Sequence, residues 1–241
     1  MNPTLAELEQ ARSEFESAVL PVETRELLER EIRRLEEIEL ERRALGVGDV
    51  IPDAELLNAR GESLRLSDLR QGGPVVLVFY RGGWCTFCRI HLRGMQRVAA
   101  TSEGLKVRLV AISPERPDRS EAIASDDGLR FPLLQDPGNR FASACGVAFD
   151  LTPAFVEMHR HYGLDFAVLN GSEGANTLPV PAVFVVQADG TIAWRQINPD
   201  YKRRADPDAV VLAVVDALSG SFARPTNGCD PRMSPGGPGF P

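Results

Sequence analysis

Two cysteines separated by two residues stand directly behind an apolar run. The order is Val75-Val76-Leu77-Val78-Phe79-Tyr80, then Arg81-Gly82-Gly83, then Trp84-Cys85-Thr86-Phe87-Cys88. The spacing predicts a buried strand, a turn at Gly82-Gly83 and a helix that starts near Cys85, with both sulfurs in its first turn. A helix N-terminus offers unpaired N–H groups and a partial positive charge, and both favour a thiolate over a thiol. The thiolate is the reactive form of cysteine. A second thiol nearby donates a hydrogen bond to it, and attacks the first sulfur once that sulfur is oxidised or joined to a substrate. A nucleophile and a resolving group thus share one helical turn. Structural zinc is the competing use of such a pair, but it takes four ligands. Cys145 and Cys229 stand alone, and His91 adds only a third group. Beside a strand–helix pattern the pair reads as redox-active, with no metal and no cofactor expected.

The elements that must hold this pair alternate between strand and helix. Residues 54–57 and 63–66 flank Asn58-Ala59-Arg60-Gly61 and read as a hairpin. Strands are expected at 75–80, 107–113 and 132–134, helices at 86–102, 116–127 and 139–145. A hairpin of 183–187 and 192–197 turns across Ala188-Asp189-Gly190, and a helix over 209–218 closes the unit. Parallel strands joined by helices, then an antiparallel hairpin and a last helix, make an α/β, thioredoxin-like fold: a central mixed sheet flanked by helices, with an added N-terminal hairpin. Residues 147–178 read as an insertion that shapes the mouth of the site.

Three segments are expected: a helical arm over 1–46, the redox domain over 47–220, and a disordered Pro/Gly tail over 221–241. In the arm, Thr4 and Glu7 suggest a capping box for a helix running to about Val19. A second helix is expected from Thr24 to Leu45, with Leu28, Ile32, Leu35 and Ile38 near one face. Ion pairs of Glu26 with Arg30, Glu29 with Arg33 and Glu39 with Arg43 support it. The arm reads as packing on the main domain or on a second subunit, so a homodimer is an open expectation. The chain has 241 residues, 43% of them hydrophobic, and a net charge of −7. That length supports a full core without disulfides. The acidic balance argues against nucleic acid and anionic membranes as partners, and no stretch is long and apolar enough to span a bilayer. Met1 to Gln10 lacks the basic and apolar regions of a secretory signal, so a cytoplasmic location is expected.

Several stretches resemble one family. They are Gly48-Asp49-Val50-Ile51-Pro52-Asp53, Phe79 through Cys85, Ala111-Ile112-Ser113-Pro114, Asp136-Pro137-Gly138-Asn139, Leu178-Pro179-Val180-Pro181-Ala182 and Asp189-Gly190-Thr191-Ile192. In these the chain resembles peroxiredoxin-like proteins of the alkyl hydroperoxide reductase C / thiol-specific antioxidant (AhpC/TSA) family, over most of residues 46–219. The resemblance implies a thiol-dependent peroxidase. Its substrate is hydrogen peroxide or an organic hydroperoxide, its intermediate a cysteine sulfenic acid, its product a Cys85–Cys88 disulfide, and its reductant a thioredoxin-like or small thiol. The chain departs from the family pattern Pro-x-x-x-Thr/Ser-x-x-Cys. In that register Arg81 falls on the proline, Cys85 on the hydroxyl residue and Cys88 on the attacking cysteine. Thioredoxins instead attack with the first cysteine of Trp-Cys-x-x-Cys, here Cys85. Peroxiredoxins place an activating arginine where this chain has Pro181. Thioredoxins have a cis-proline there, and a cis Val180-Pro181 bond is accessible at about 0.5–1 kcal/mol. The reading has Cys85 attack and Cys88 resolve, with the reverse order if peroxiredoxin geometry holds.

Arg81, Arg89 and Arg195 are the positive groups considered for the thiolate. Arg195 follows the Asp-Gly turn where the family often carries arginine, and Arg89 reads better as a surface charge. Trp84 is expected to shield the sulfurs, and Pro181 to position a substrate backbone or thiol. His91 reads as exposed helix surface, though it could share a face with Cys88 and act as a base. His159 and His161 read as a solvated face, Cys145 as core, and Cys229 as an incidental thiol. Two other functions stand beside the peroxidase: a thioredoxin-like dithiol–disulfide oxidoreductase, and a non-catalytic module whose arm and insertion recruit a partner.

Overall fold

A computed structural model describes residues 2–219. The expected tail, with Cys229, lies outside the described residues.

The chain opens with three helices, α1 (Pro3–Ser17), α2 (Val22–Glu37) and α3 (Leu40–Arg43). Asn2 caps α1, its side chain accepting from the Thr4 amide at 3.0 Å. The helix therefore starts two residues before the expected Thr4–Glu7 capping box, with a one-sided cap in its place, and Glu7 pairs with Arg93 instead. The single helix expected from Thr24 to Leu45 is two. Glu39 adopts a left-handed conformation, φ 51°, which breaks the run and turns its carboxylate to Arg42 rather than Arg43. The pairs Glu26–Arg30 and Glu29–Arg33 form as expected, each at 3.6 Å.

The hairpin β1 (Glu55–Leu57) and β2 (Ser63–Arg65) follows, then α4 (Leu66–Arg70), β3 (Val75–Phe79), α5 (Thr86–Glu103), β4 (Arg108–Ser113), α6 (Pro117–Asp126) and β5 (Leu133–Gln135). After a single 3-10 turn comes α7 (Arg140–Ala144). The insertion folds as β6 (Ala148–Asp150), α8 (Pro153–His161), α9 (Phe166–Asn170) and β7 (Thr177–Pro179); β8 (Ala182–Val186), β9 (Ile192–Ile197) and α10 (Pro207–Ser219) complete the chain. The main sheet has seven strands in the order β2-β1-β5-β4-β3-β8-β9. Strands β3, β4 and β5 run parallel, and β8 and β9 return antiparallel. Strands β6 and β7 pair separately.

The central strand shows how the layers arise. Every residue of β3 is buried, and side chains alternate between the two faces of a strand. Val76 and Val78 pack towards α5, α10 and α1. Val75, Leu77 and Phe79 pack on the other face with Phe141, Phe184 and Leu35 of the arm. The end of β3 thus delivers the next residues to the C-terminal edge of a sheet covered on both sides. The arm is fastened to α5 and to the insertion. Helix α1 crosses α5 where Gly94 lacks a side chain; a Cβ there would lie 2.4 Å from Thr4 Cγ2. Helix α2 meets the insertion through buried Glu31, which accepts from the Thr152 hydroxyl at 2.8 Å, and through Arg34, which donates to the Asp150 carbonyl at 2.8 Å.

Candidate active site

Between β3 and α5 the backbone turns sharply at Gly82-Gly83. The Gly83 amide donates to Glu115 Oε2 at 2.8 Å. A Cβ on Gly83 would lie 1.7 Å from Ile123 Cδ1, so a side chain in the turn would have to displace Ile123 of α6. Cys85 is the N-cap residue of α5, and its carbonyl accepts from the amides of Cys88 at 2.9 Å and Arg89 at 3.1 Å. Both sulfurs therefore lie in the first turn, and both are free thiols in this structure.

Their environments differ. Cys85 is 5% exposed and borders a cleft, whereas Cys88 is fully buried. The Cys85 thiol is driven well below its ordinary value, first by the hydrogen bond from the Cys88 thiol, then by the guanidiniums of Arg81 and Arg204, against the cost of burial. Cys88 is driven up, first by burial and then by the neighbouring Cys85. Arg204 Nη2 lies closer to Cys88 Sγ, 3.3 Å, than to Cys85 Sγ, 3.8 Å. Proximity alone would place the charge on Cys88. Both guanidiniums act on both sulfurs; the charge falls to Cys85 because it receives the S–H bond and is the N-cap of α5, while burial weighs first against a charge on Cys88.

Arg81 is held between two rings, 4.7 Å from the centroid of Trp84 and 4.6 Å from that of Tyr201. Such cation–π contacts fix a guanidinium without neutralising it. Trp84 packs in turn on His159 and Phe166 of the insertion. The cleft above Cys85 has a volume of about 410 Å³. One wall comes from the arm (Phe15, Leu20 and Leu28), the other from the insertion (Met158, His159 and Leu164), with Trp84 and Tyr201 between them. Behind the sulfurs, Glu115 is buried and its carboxyl is raised by that burial.

Several expectations need correction. Arg195 does not approach the sulfurs; its Nη1 donates to the Glu41 carbonyl of the arm at 2.7 Å. Arg204, which was not singled out in the sequence, takes that place from the loop before α10. Arg89 is engaged by Asp127, at 2.8 and 2.7 Å, on the flank of α5. Pro181 is buried and shares a small cavity with Arg81 and Tyr201 rather than facing the cleft, and no peptide bond among the described residues is cis. His91 is buried, not exposed, and its imidazole is pushed down to about 3 by burial and by Arg204. His159 is also buried. Its Nδ1 lies 2.9 Å from the Phe155 carbonyl, and burial pushes it down to about 4. Cys145 is core, as expected. Among the described residues no group of three His, Cys, Asp or Glu side chains is placed to hold a metal ion, and no helix is long and apolar enough to cross a membrane.

The profile of the AhpC/TSA family matches residues 47–195. A Mycobacterium tuberculosis protein assigned as a peroxiredoxin is 33% identical over 153 residues, 63% of this chain and 84% of that protein. Thiol-disulfide oxidoreductase ResA of Geobacillus kaustophilus is 31% identical over 108 residues, 44% of this chain and 61% of ResA. The chain thus spans less than two thirds of ResA. The crystal structure of peroxidoxin BcpB from Mycobacterium tuberculosis superimposes with a TM-score of 0.55 at 21% identity, covering 71% of this chain and 97% of that one. At that identity the likeness speaks for the fold.

Proposed function

The chain belongs to the AhpC/TSA family, and from that premise we propose that it is a thiol-dependent peroxidase in which Cys85 attacks and Cys88 resolves. The Cys85 thiolate takes the terminal oxygen of a hydroperoxide. The O–O bond breaks, the alkoxide leaves with a proton as the alcohol, and Cys85 becomes a sulfenic acid. The Cys88 thiol then displaces the sulfenic hydroxyl, forming the Cys85–Cys88 disulfide and releasing water. A thioredoxin-type or small thiol returns the pair to the dithiol.

The observation that carries this assignment is the asymmetry of the pair. Cys85 meets the cleft and is stabilised as a thiolate; Cys88 has no exposure and keeps its proton. Arg81 and Arg204 hold the positive charge that the departing oxygen needs as its negative charge develops. The cleft also speaks to the substrate. A water's share of liquid volume is about 30 Å³, so hydrogen peroxide fills a small part of about 410 Å³. The apolar walls favour an organic hydroperoxide. In this reading the arm serves the redox domain as a wall of its cleft.

One equivalent of hydroperoxide added to reduced protein is expected to close a Cys85–Cys88 disulfide. The Cys88→Ser variant should accumulate a trappable sulfenic acid on Cys85, and Cys85→Ser should lose peroxide consumption. Sulfenic acid on Cys88 in the Cys85→Ser variant would reverse the order. Consumption by wild type no faster than by free cysteine would end the peroxidase reading. Similarity to ResA favours a second reading, dithiol–disulfide exchange on another molecule. Reduction of a model disulfide such as insulin, lost in Cys85→Ser, tests it.

A further inference from the structure

The cleft floor at Arg81, with Arg204 at the sulfurs beneath it, carries more positive charge than the reduced pair neutralises. Arg81 and Arg204 are 4% and 6% exposed. Arg81 Nε has no hydrogen-bond partner, and neither do Nε and Nη1 of Arg204. Among the described residues no carboxylate lies within ion-pair distance of either guanidinium. Asp200 pairs with Lys202 at 3.1 Å and Arg203 at 3.7 Å, and Glu14, on the arm wall of the cleft, accepts from Gln10 at 2.9 Å. In the dithiol state one thiolate stands against two guanidiniums. Closing the disulfide removes that thiolate: the two sulfurs bond, the Cys88 S–H bond breaks and its proton leaves to solvent, two electrons pass to the oxidant, and no negative charge remains on either sulfur. Two buried cations are left beside a helix N-terminus, a situation that draws a counterion.

We propose that the cleft floor between Arg81 and Cys85 is an anion site tuned by the redox state of the Cys85–Cys88 pair, weak in the dithiol form, where the thiolate offsets one guanidinium, and strong in the disulfide form, and that it takes a small organic monoanion with an apolar body. It rests on the reading that the pair forms a disulfide, whatever the oxidant. The charge comes from the guanidiniums, and the preference for an apolar body from Phe15, Leu28, Trp84 and Met158 around the opening. For turnover the consequence is a sorting of substrates by charge. The thiolate of the reduced enzyme weakens the hold on anions and leaves a neutral hydroperoxide unaffected. The oxidised enzyme attracts an anion, and the nucleophile that must attack its disulfide is itself a thiolate.

Benzoate is the unreactive probe, and benzyl alcohol its neutral counterpart. Each is titrated calorimetrically into the full chain at pH 8 and constant ionic strength, in the dithiol and disulfide forms, after mass analysis has verified the redox state. Benzoate is expected to bind the disulfide form at one site, at least about tenfold more tightly than the dithiol form, because one unit charge within a few ångströms is worth at least that much. Benzyl alcohol should not distinguish the two forms. Arg81→Gln should weaken benzoate binding to the disulfide form at least about tenfold; the comparison of wild-type redox forms stands even if that variant does not fold. Equal affinity for both forms, or no saturable binding to the disulfide form, overturns the proposal. Failure to obtain any Cys85–Cys88 disulfide with peroxide or a chemical thiol oxidant overturns the redox reading, and the tuning with it.

Discussion

Replacing Arg204 by Gln removes one positive charge 3.8 Å from Cys85 Sγ while keeping a polar side chain of similar reach. At that distance, with an effective dielectric of about 20, the charge–charge attraction is roughly 4 kcal/mol. The full amount is not lost. Arg81 still faces the sulfur, the amide can donate one hydrogen bond, and water entering the gap restores part of the solvation. A loss of at least about 1.4 kcal/mol in thiolate stabilisation is expected, a factor of ten in the thiolate-to-thiol ratio at a pH where the wild-type group is partly ionised. Alkylation by iodoacetamide, followed by mass analysis of the Cys85 peptide across pH 4–9, reads that ratio directly. The pH of half-maximal rate should rise in Arg204→Gln. The plateau at high pH should rise slightly, because a more basic thiolate is the better nucleophile. Arg204→Lys, which keeps the charge, should restore part of the shift. Arg195→Gln should leave the profile unchanged, since that guanidinium is spent on the Glu41 carbonyl. An unchanged midpoint in a folded Arg204→Gln protein would refute the electrostatic account of the site.

Three further outcomes follow from the same geometry. Arg204 is a buried charge with two unpartnered nitrogens, and closing the disulfide would take away the thiolate beside it, so Arg204→Met should raise the stability of the oxidised protein by about 1–3 kcal/mol in urea unfolding, while lowering activity; an oxidised variant less stable than wild type contradicts this. Stability should fall on acidification below pH 6.5. The folded chain holds His159 down at about 4, so between those values the unfolded chain binds more protons; the term is fully present above pH 6.5 and is lost as pH falls towards 4, by up to about 3 kcal/mol. His159→Phe should remove about half of that slope in denaturation curves measured at pH 7 and 4.5, because buried His91, held down at about 3, contributes a slope of the same sign. Gly83→Ala should cost about 1–3 kcal/mol or more by forcing Cβ into Ile123, and Ile123→Ala in the same protein should recover part of the loss. Strictly additive losses in that double variant would show the clash is not the cause.

What was legible in the sequence was whatever rests on local pattern. The apolar run of β3, the Gly82-Gly83 turn and the Cys85-x-x-Cys88 spacing each act within a few residues, and the structure assembles them in that order. The hairpins and the alternation of strand and helix are local in the same sense. Two misread histidines were also within reach. Cys88, His91, Leu92, Met95 and Val98 recur at three- and four-residue spacing and are all buried, so the helical period places His91 on the core face. Phe155 and His159 stand in the same relation on α8, and both are buried.

Arg204 is a different case, because no local rule could have found it. It lies 116 residues from Cys88 in the chain, in a loop whose neighbours Lys202 and Arg203 carry the same charge but pair with Asp200. Selecting one of three consecutive cations requires knowing which points inward, and that is decided where the start of α10 meets α5. The buried Ala205 and Val210 pack in one cluster with Leu92 and Met95. Once those apolar contacts form, the side chain at 204 is carried under the sulfurs while those at 202 and 203 remain at Asp200. The part of the positive charge beside Cys85 that Arg204 supplies is therefore set by hydrophobic packing of the last helix. A substitution such as Val210→Ala, which never touches the cysteines, should loosen that helix and raise the pH at which Cys85 ionises. An unaltered Cys85 profile in a measurably destabilised Val210→Ala protein would separate the two and defeat the argument.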